Sequence, residues 1–210
     1  MIRILIADDH AIVRQGLKQV IADQNDMQLA GEASNGNEVL AFLEKHKVDV
    51  VVLDVTMPGR NGIEVLKDIH QRYPTLPVLV LSMHPEDQYA LRALRAGASG
   101  YITKESAPTE LVSAIRKVMR GRKYISESVA DSMLGEISSE RTKEPHELLS
   151  DREFEVLRMI ASGKSLTEIA AELSLSIKTI STYRGRILDK MRLKNNAELT
   201  HYAISNKLIQ

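Results

Sequence analysis

Residues 50–59 read VVVLDVTMPG: four apolar residues of strand-forming type, an aspartate at position 54, and a break at Pro58-Gly59. A short apolar run closed by proline and glycine is the pattern of a strand covered on both faces, as in a parallel sheet. Burying an isolated carboxylate is costly, so Asp54 belongs at the mouth of that strand or beside a compensating charge. It is therefore a candidate site residue.

Outward from this strand, short β-rich runs alternate with segments of helical period up to about residue 120. Strands are expected at Ile2–Ala7, Met27–Ala33, Val50–Leu53, Val78–Leu81 and Gly100–Ile102. Helices are expected near Ile12–Ala22, Glu38–Lys45, Ile63–Arg72, Gln88–Ala96 and Thr109–Met119. Alternation of this kind predicts an α/β doubly wound domain with a five-stranded parallel sheet over residues 1–121. Beyond RGRKY the pattern changes, and Val129, Met133 and Ile137 suggest a short amphipathic helix before the polar stretch SSERTKEPHE. Residues 122–147 are thus expected to be a linker, followed by a small all-α domain over 148–210.

Composition narrows the chemistry. The 210 residues contain no cysteine, which excludes disulfides, thiolate metal sites and cysteine nucleophiles and suits a reducing compartment. Basic and acidic residues balance at 28 each, so only local charge can speak about nucleic acid. Two phenylalanines and no tryptophan disfavour an aromatic base-stacking surface. The opening MIRILIADDH has an apolar stretch too short for a signal peptide, and no segment approaches the roughly 20 apolar residues of a membrane span. A soluble, cytoplasmic protein is expected.

Ligands of doubly wound sheets bind outside the carboxyl ends of the strands. Those ends carry Asp8 and Asp9, Asp54, Ser82 and Lys104. Three neighbouring acids repel unless a cation neutralises them, and oxygen ligands in this number suit Mg2+. One carboxylate can then attack phosphorus to form an acyl phosphate, with Lys104 and the Ser82 hydroxyl holding phosphoryl oxygens. Taken singly, Asp8 reads more readily as a helix cap, Ser82 as a turn residue and Lys104 as a solvated charge. Their falling together at one sheet edge favours the site. His10 and His84 are not assigned as ligands or phosphocarriers, because Mg2+ prefers oxygen.

The set ADDH, LDVTMPGRNG, VLS and GYITK resembles the flavodoxin-like receiver domain of two-component response regulators. The resemblance implies that Asp54 accepts a phosphoryl group from a sensor histidine kinase. It also implies that Asp8, Asp9, Asp54 and the Thr56 carbonyl hold Mg2+, and that Tyr101 is an aromatic switch responding to Ser82.

In SLTEIAAELSLSIKTISTYRGRILDKM, two helical stretches flank a turn at Leu175-Ser176, with Ser176 a plausible N-cap. This is either an ordinary helical hairpin or a helix-turn-helix, and the charges favour the latter. At 100° per residue Ile180, Tyr183, Ile187 and Met191 share the packed face of the second helix, while Lys178, Thr182, Gly185 and Asp189 lie opposite, flanked by Thr179, Ser181, Arg186 and Lys190. Between 178 and 194 stand Lys178, Arg184, Arg186, Lys190, Arg192 and Lys194 against Asp189 alone, a basic patch suited to DNA phosphates. Arg184 is expected to reach outward to phosphate, Gly185 to permit close backbone approach, and Ser181 and Thr182 to make small contacts in the major groove.

The stretch from LSDRE through EIAAELSLSIKTIS to KM resembles the LuxR-type helix-turn-helix domain of NarL/FixJ-type regulators. Tyr183 departs from the histidine common there, which leaves the DNA sequence preference open. The resemblance implies promoter DNA as a partner and a homodimer formed through the last helix, around Ala197–Asn206, when the protein is active. The expected function is phosphorylation-controlled transcription regulation without turnover as an enzyme. A Mg2+-dependent phosphatase is disfavoured because Thr56 stands where a second acid is needed, and a nucleotide-binding α/β domain is disfavoured because no glycine-rich loop follows the first strand. A regulator working by protein contacts alone is the remaining alternative.

Overall fold

In the computed structural model, Val50–Asp54 is a strand buried along its whole length. The structure describes residues 1–83, 86–127, 129–131, 144–206 and 208–209, which fall in two units, Met1–Ser139 and Glu140–Gln210.

The first unit alternates β1 (Ile2–Ala7), α1 (Ala11–Ala22), β2 (Met27–Ala33), α2 (Gly36–Lys45), β3 (Val50–Asp54), α3 (Gly62–Arg72), β4 (Val78–Ser82), α4 (Glu86–Arg95), β5 (Gly100–Thr103) and α5 (Ala107–Met119). All strand pairs are parallel, in the order β2-β1-β3-β4-β5. Strand order therefore reverses between β1 and β3, where the crossovers leave toward opposite sides and a crevice opens at the carboxyl ends.

Alternation along the strands splits their side chains between two faces. Ile4, Ile6, Val50, Val52, Leu79, Leu81 and Ile102 form one core with Leu17 and Ile21 of α1 and Leu111, Ile115 and Val118 of α5. Leu5, Val51, Leu53 and Val80, at the alternate positions, are equally buried. Both faces are covered, so these strands read as unbroken apolar runs rather than as alternating ones. Helix α5 starts two residues before its expected Thr109, because Pro108 sits in the first turn, where no backbone donor is needed. Met133 and Ile137 of the expected linker helix lie outside the described residues. The start of the expected linker does not run free of the sheet: Tyr124 pairs in parallel with Gly100, at the outer edge of β5.

Among its described residues the second unit has a 3-10 turn (Pro145–Leu148) and four helices: α6 (Asp151–Ala161), α7 (Leu166–Glu172), α8 (Ile177–Met191) and α9 (Asn196–Ser205). Reciprocal capping boxes set two of these starts, Ser150 with Glu153 and Ser165 with Glu168. Ser174, in the left-handed region at φ 54°, closes the turn after α7, and the Ser176 hydroxyl accepts the Thr179 N–H to start α8. Phe154, Leu157, Ile169, Leu173, Ile180, Ile187 and Leu199 fill the core between the helices.

Candidate functional site

Strand β1 ends at Ala7 and delivers Asp8 and Asp9, while β3 ends on Asp54 itself. Register places Asp54 beside Leu81 and Ser82 beside Thr103, so the ends of β3, β4 and β5 converge. Asp8, Asp54 and Ser82 are fully buried, and the Lys104 side chain is only 5% exposed. Lys104 Nζ lies 2.7 Å from Asp8 Oδ2 and 2.8 Å from Asp54 Oδ2. The Thr56 N–H donates to Asp54 Oδ1 at 2.9 Å. One ammonium thus faces two buried carboxylates.

The charge balance follows. Burial pushes the Asp54 carboxyl up to about 7, assisted by the nearby Asp8 and opposed by Lys104 and the Thr56 N–H. Burial works against the Lys104 charge, but Asp54 and Asp8 outweigh it and hold its pKa above the ordinary lysine value.

Four groups, Asp8, Asp9, His10 and Asp54, bring donor atoms within 4.8 Å of one another. Three of the four are carboxylates, a hard oxygen set with more negative charge than one lysine cancels, and this fits Mg2+. His10 was not expected in this group: its Nδ1 lies 2.8 Å from Asp9 Oδ1 and 3.3 Å from Asp8 Oδ1. His84 lies outside the described residues.

Two further positioning residues carry no chemistry that their type would reveal. Asn61, buried at the start of α3, accepts the Ile63 N–H through Oδ1 at 2.8 Å. Gly62 packs against the strand end itself: a Cβ there would stand 2.3 Å from the Asp54 carbonyl oxygen and 2.6 Å from Val55 Cα. Only the pairing of Asn and Gly after the Pro-Gly turn hints at them. Tyr101, in β5, is buried. A cavity of about 850 Å³ lined by Arg3, Lys47, Asp49, Arg122 and Lys123 involves none of the expected site residues.

In the helical unit, α8 buries Ile180, Ile187 and Met191 and exposes Lys178, Ser181, Thr182, Arg186 and Lys190, with Thr179 and Gly185 half-buried. No atom outside its own helix comes within 4 Å of a Cβ built on Gly185, so packing within the unit does not require glycine there. Two of the basic residues are committed inside the unit. Arg184 Nε donates to Asn196 Oδ1 at 2.6 Å, where the sequence suggested a reach outward to phosphate. Lys190 Nζ donates to Glu153 Oε2 at 2.6 Å. This lysine and the Ser150 cap outweigh burial and hold the Glu153 carboxyl below its usual range.

Residues 4–116 match the response regulator receiver domain, and residues 147–203 match the luxR family of bacterial regulatory proteins. The chain is 38% identical over 209 residues to the response regulator UvrY of Escherichia coli K12, covering 99% of this chain and 96% of UvrY. It belongs to the NarL/FixJ-type response regulators. This response regulator is also 36% identical over 214 residues to the oxygen regulatory protein NreC of Staphylococcus carnosus, covering 99% of each. Its structure aligns with RcsB of Salmonella enterica serovar Typhimurium, bound to promoter rprA in the presence of phosphomimetic BeF3-. That alignment has a TM-score of 0.66 and 29% identity, covering 98% of this chain and all of the other. The response regulator is a two-component protein that regulates transcription through DNA binding. Receiver domains bind Mg2+ at an acidic pocket, and the cluster at the ends of β1 and β3 is of that kind.

Proposed function

We propose that Asp54 accepts a phosphoryl group from a sensor histidine kinase and that this event controls dimerisation and promoter binding. The observation that carries the proposal is a buried aspartate at the strand-order reversal, held by Lys104 and faced by Asp8. A carboxylate oxygen of Asp54 attacks phosphorus, the bond from phosphorus to the donor imidazole nitrogen breaks, and the imidazole leaves with the electron pair. Lys104 then releases Asp54 to hold a phosphoryl oxygen, and the Ser82 hydroxyl donates to another. Asp8, Asp9, Asp54 and the Thr56 carbonyl would hold Mg2+, which when bound neutralises the charge brought together by carboxylates and phosphate. Tyr101, one residue after the start of β5, responds to the displacement of Ser82 on the neighbouring strand.

The proposed division is a receiver over 1–121, a linker over 122–147 and a DNA-binding domain over 148–210. Lys178, Thr179, Ser181, Thr182, Gly185 and Arg186 form the DNA-facing side of α8, while Arg184 and Lys190 reach phosphate by exchanging Asn196 and Glu153. Helix α9 offers the dimer surface: Ile204 is exposed, and Leu193, Ala197, His201 and Tyr202 line a cavity of about 510 Å³ along it. No helix among the described residues is long and apolar enough to cross a membrane, which suits a cytoplasmic regulator with promoter DNA as its partner. Beyond forming and hydrolysing its own acyl phosphate, the protein carries out no turnover.

The test is incubation with Mg2+ and acetyl phosphate, read by intact mass. A gain of one phosphoryl group, absent from Asp54→Asn, is expected. No gain, or an equal gain in the variant, overturns the assignment.

A further inference from the structure

Helix α5 ends at Met119 with Arg120 as its cap; Gly121, whose φ is +74°, then lets the chain turn back, and the Arg122 N–H closes on the Lys117 carbonyl. Three residues later the chain lies beside the sheet. The Tyr124 N–H donates to the Ser99 carbonyl and the Tyr101 N–H donates to the Tyr124 carbonyl, both at 3.0 Å, which makes Tyr124 a one-residue parallel partner of Gly100. Strand β5, helix α5 and Tyr124 thus form a further βαβ-like crossover.

Side chains fix this partner in place. The Tyr124 hydroxyl donates to Glu110 Oε2 at 3.0 Å, and Lys117 Nζ stands 5.3 Å from the centre of the Tyr124 ring, so both contacts anchor it to α5. Lys123 Nζ donates to the Ala98 carbonyl on the approach to β5. Gly100 leaves the room required: a Cβ there would stand 2.7 Å from the Tyr124 carbonyl oxygen and 2.8 Å from Tyr124 Cβ. The peptide N–H bonded to Tyr124 is that of Tyr101, and the other edge of the same strand pairs with β4, where Thr103 lies beside Ser82.

We infer that Tyr124 is a positioning residue for the Tyr101 switch: it holds the outer edge of β5 and passes a change at Ser82 and Tyr101 directly into the chain that leads on to the helical unit. This rests on the proposed phosphorylation of Asp54. A shift of β5 that follows Ser82 must either carry Tyr124 with it or break the two hydrogen bonds flanking Gly100, and in both cases the first linker residues register the event. No separate path through α4 or α5 is required.

The experiment uses the full chain labelled with 15N-tyrosine, in which six tyrosines give at most six backbone amide signals. Acetyl phosphate and Mg2+ are added, and intact mass is read on the same sample. The amide signals of Tyr101 and Tyr124 are expected to shift together on phosphorylation, with Tyr73 as a reference. Tyr124→Ala is expected to gain the phosphoryl group at the wild-type rate while its Tyr101 amide exchanges faster in both states. Binding is then measured on a DNA duplex selected from a random-sequence pool by the phosphorylated wild-type protein. Allosteric gains are typically about 5- to 150-fold, and in Tyr124→Ala the phosphorylation-dependent gain should fall below about twofold. Tyr124→Phe, which deletes only the hydroxyl that reaches Glu110, should lie between the two and covers the case in which the alanine variant does not fold. A phosphorylated wild-type protein whose Tyr124 amide is unchanged overturns the inference, as does a Tyr124→Ala protein with the full DNA response. No phosphoryl gain in the wild type removes the Asp54 reading first, and this inference with it.

Discussion

Replacing Lys104 by methionine isolates the electrostatics of the site. Lys104 is the cation between Asp8 and Asp54, within 2.8 Å of both, and neither carboxylate is solvent-exposed. Methionine keeps most of the volume and apolar packing, so the change removes charge rather than opening a cavity. Losing one partner of a buried ion pair costs about 3–5 kcal/mol, because the remaining charge is left uncompensated. In a unit of this size that corresponds to a fall in Tm of roughly 6–20 °C. Scanning calorimetry without metal should show the loss in the α/β unit, while the helical unit, which contains no part of the site, keeps its transition. A second substitution tests the cause: with Asp54→Asn in place one carboxylate is gone, and Lys104→Met should then cost less than half as much. Millimolar Mg2+ should also restore stability to the single variant, since the cation binds the folded acid cluster and not the unfolded chain. Equal losses with and without Asp54→Asn would refute the argument and make Lys104 a packing residue.

Three more outcomes follow from particular contacts. Arg3 donates through Nε and Nη2 to Asp49 and holds that carboxyl down to about 2; a depressed carboxylate stabilises the fold above its unfolded value near 4 and loses that contribution as pH falls toward 2. Urea titrations should therefore show Asp49→Asn less stable than wild type at pH 6, with the gap closing between about pH 4 and pH 2. Ser176→Ala removes the cap of α8 and should destabilise the helical unit by about 1 kcal/mol in thermal melts. Gly185→Ala has open space for its methyl group, so it should stabilise that unit by up to about 1 kcal/mol while weakening binding to duplex DNA; unchanged affinity would remove Gly185 from the interface.

The sheet was legible because both of its faces are covered. Runs such as VVVLD and VLVLS have no other stable environment, and the turns after them mark where the carboxyl ends lie. Site residues at those ends follow from the strand positions, which is why Asp8, Asp54, Ser82 and Lys104 could be named together. The Tyr124 pairing could not be read this way, since a single residue has no period and Gly100, which admits it, reads only as the start of a strand. Helical projection gives the direction of the Arg184 side chain from its own axis but not the position of the next helix; Asn196 at the start of α9 intercepts it. Ligand preference and an exposed loop position both speak against His10, and its nearness to Asp9 depends on how tightly the chain turns into α1.

Glu153 has a consequence for how the helical unit meets a groove. The same Oε2 accepts the Ser150 N–H at the start of α6 and the Lys190 ammonium near the end of α8. One oxygen therefore ties the beginning of the first helix to the far end of the DNA-facing one, and Arg184 fastens the middle of α8 to α9. Held at two points along its length, α8 meets the duplex with its tilt already set, and Arg184 and Lys190 leave Asn196 and Glu153 for phosphate only once the helix is seated, so little ordering entropy is spent on docking. A probe this stiff cannot mould itself to a sequence, and the accommodation falls to the duplex: bending and groove width at steps the protein never touches become part of what it recognises.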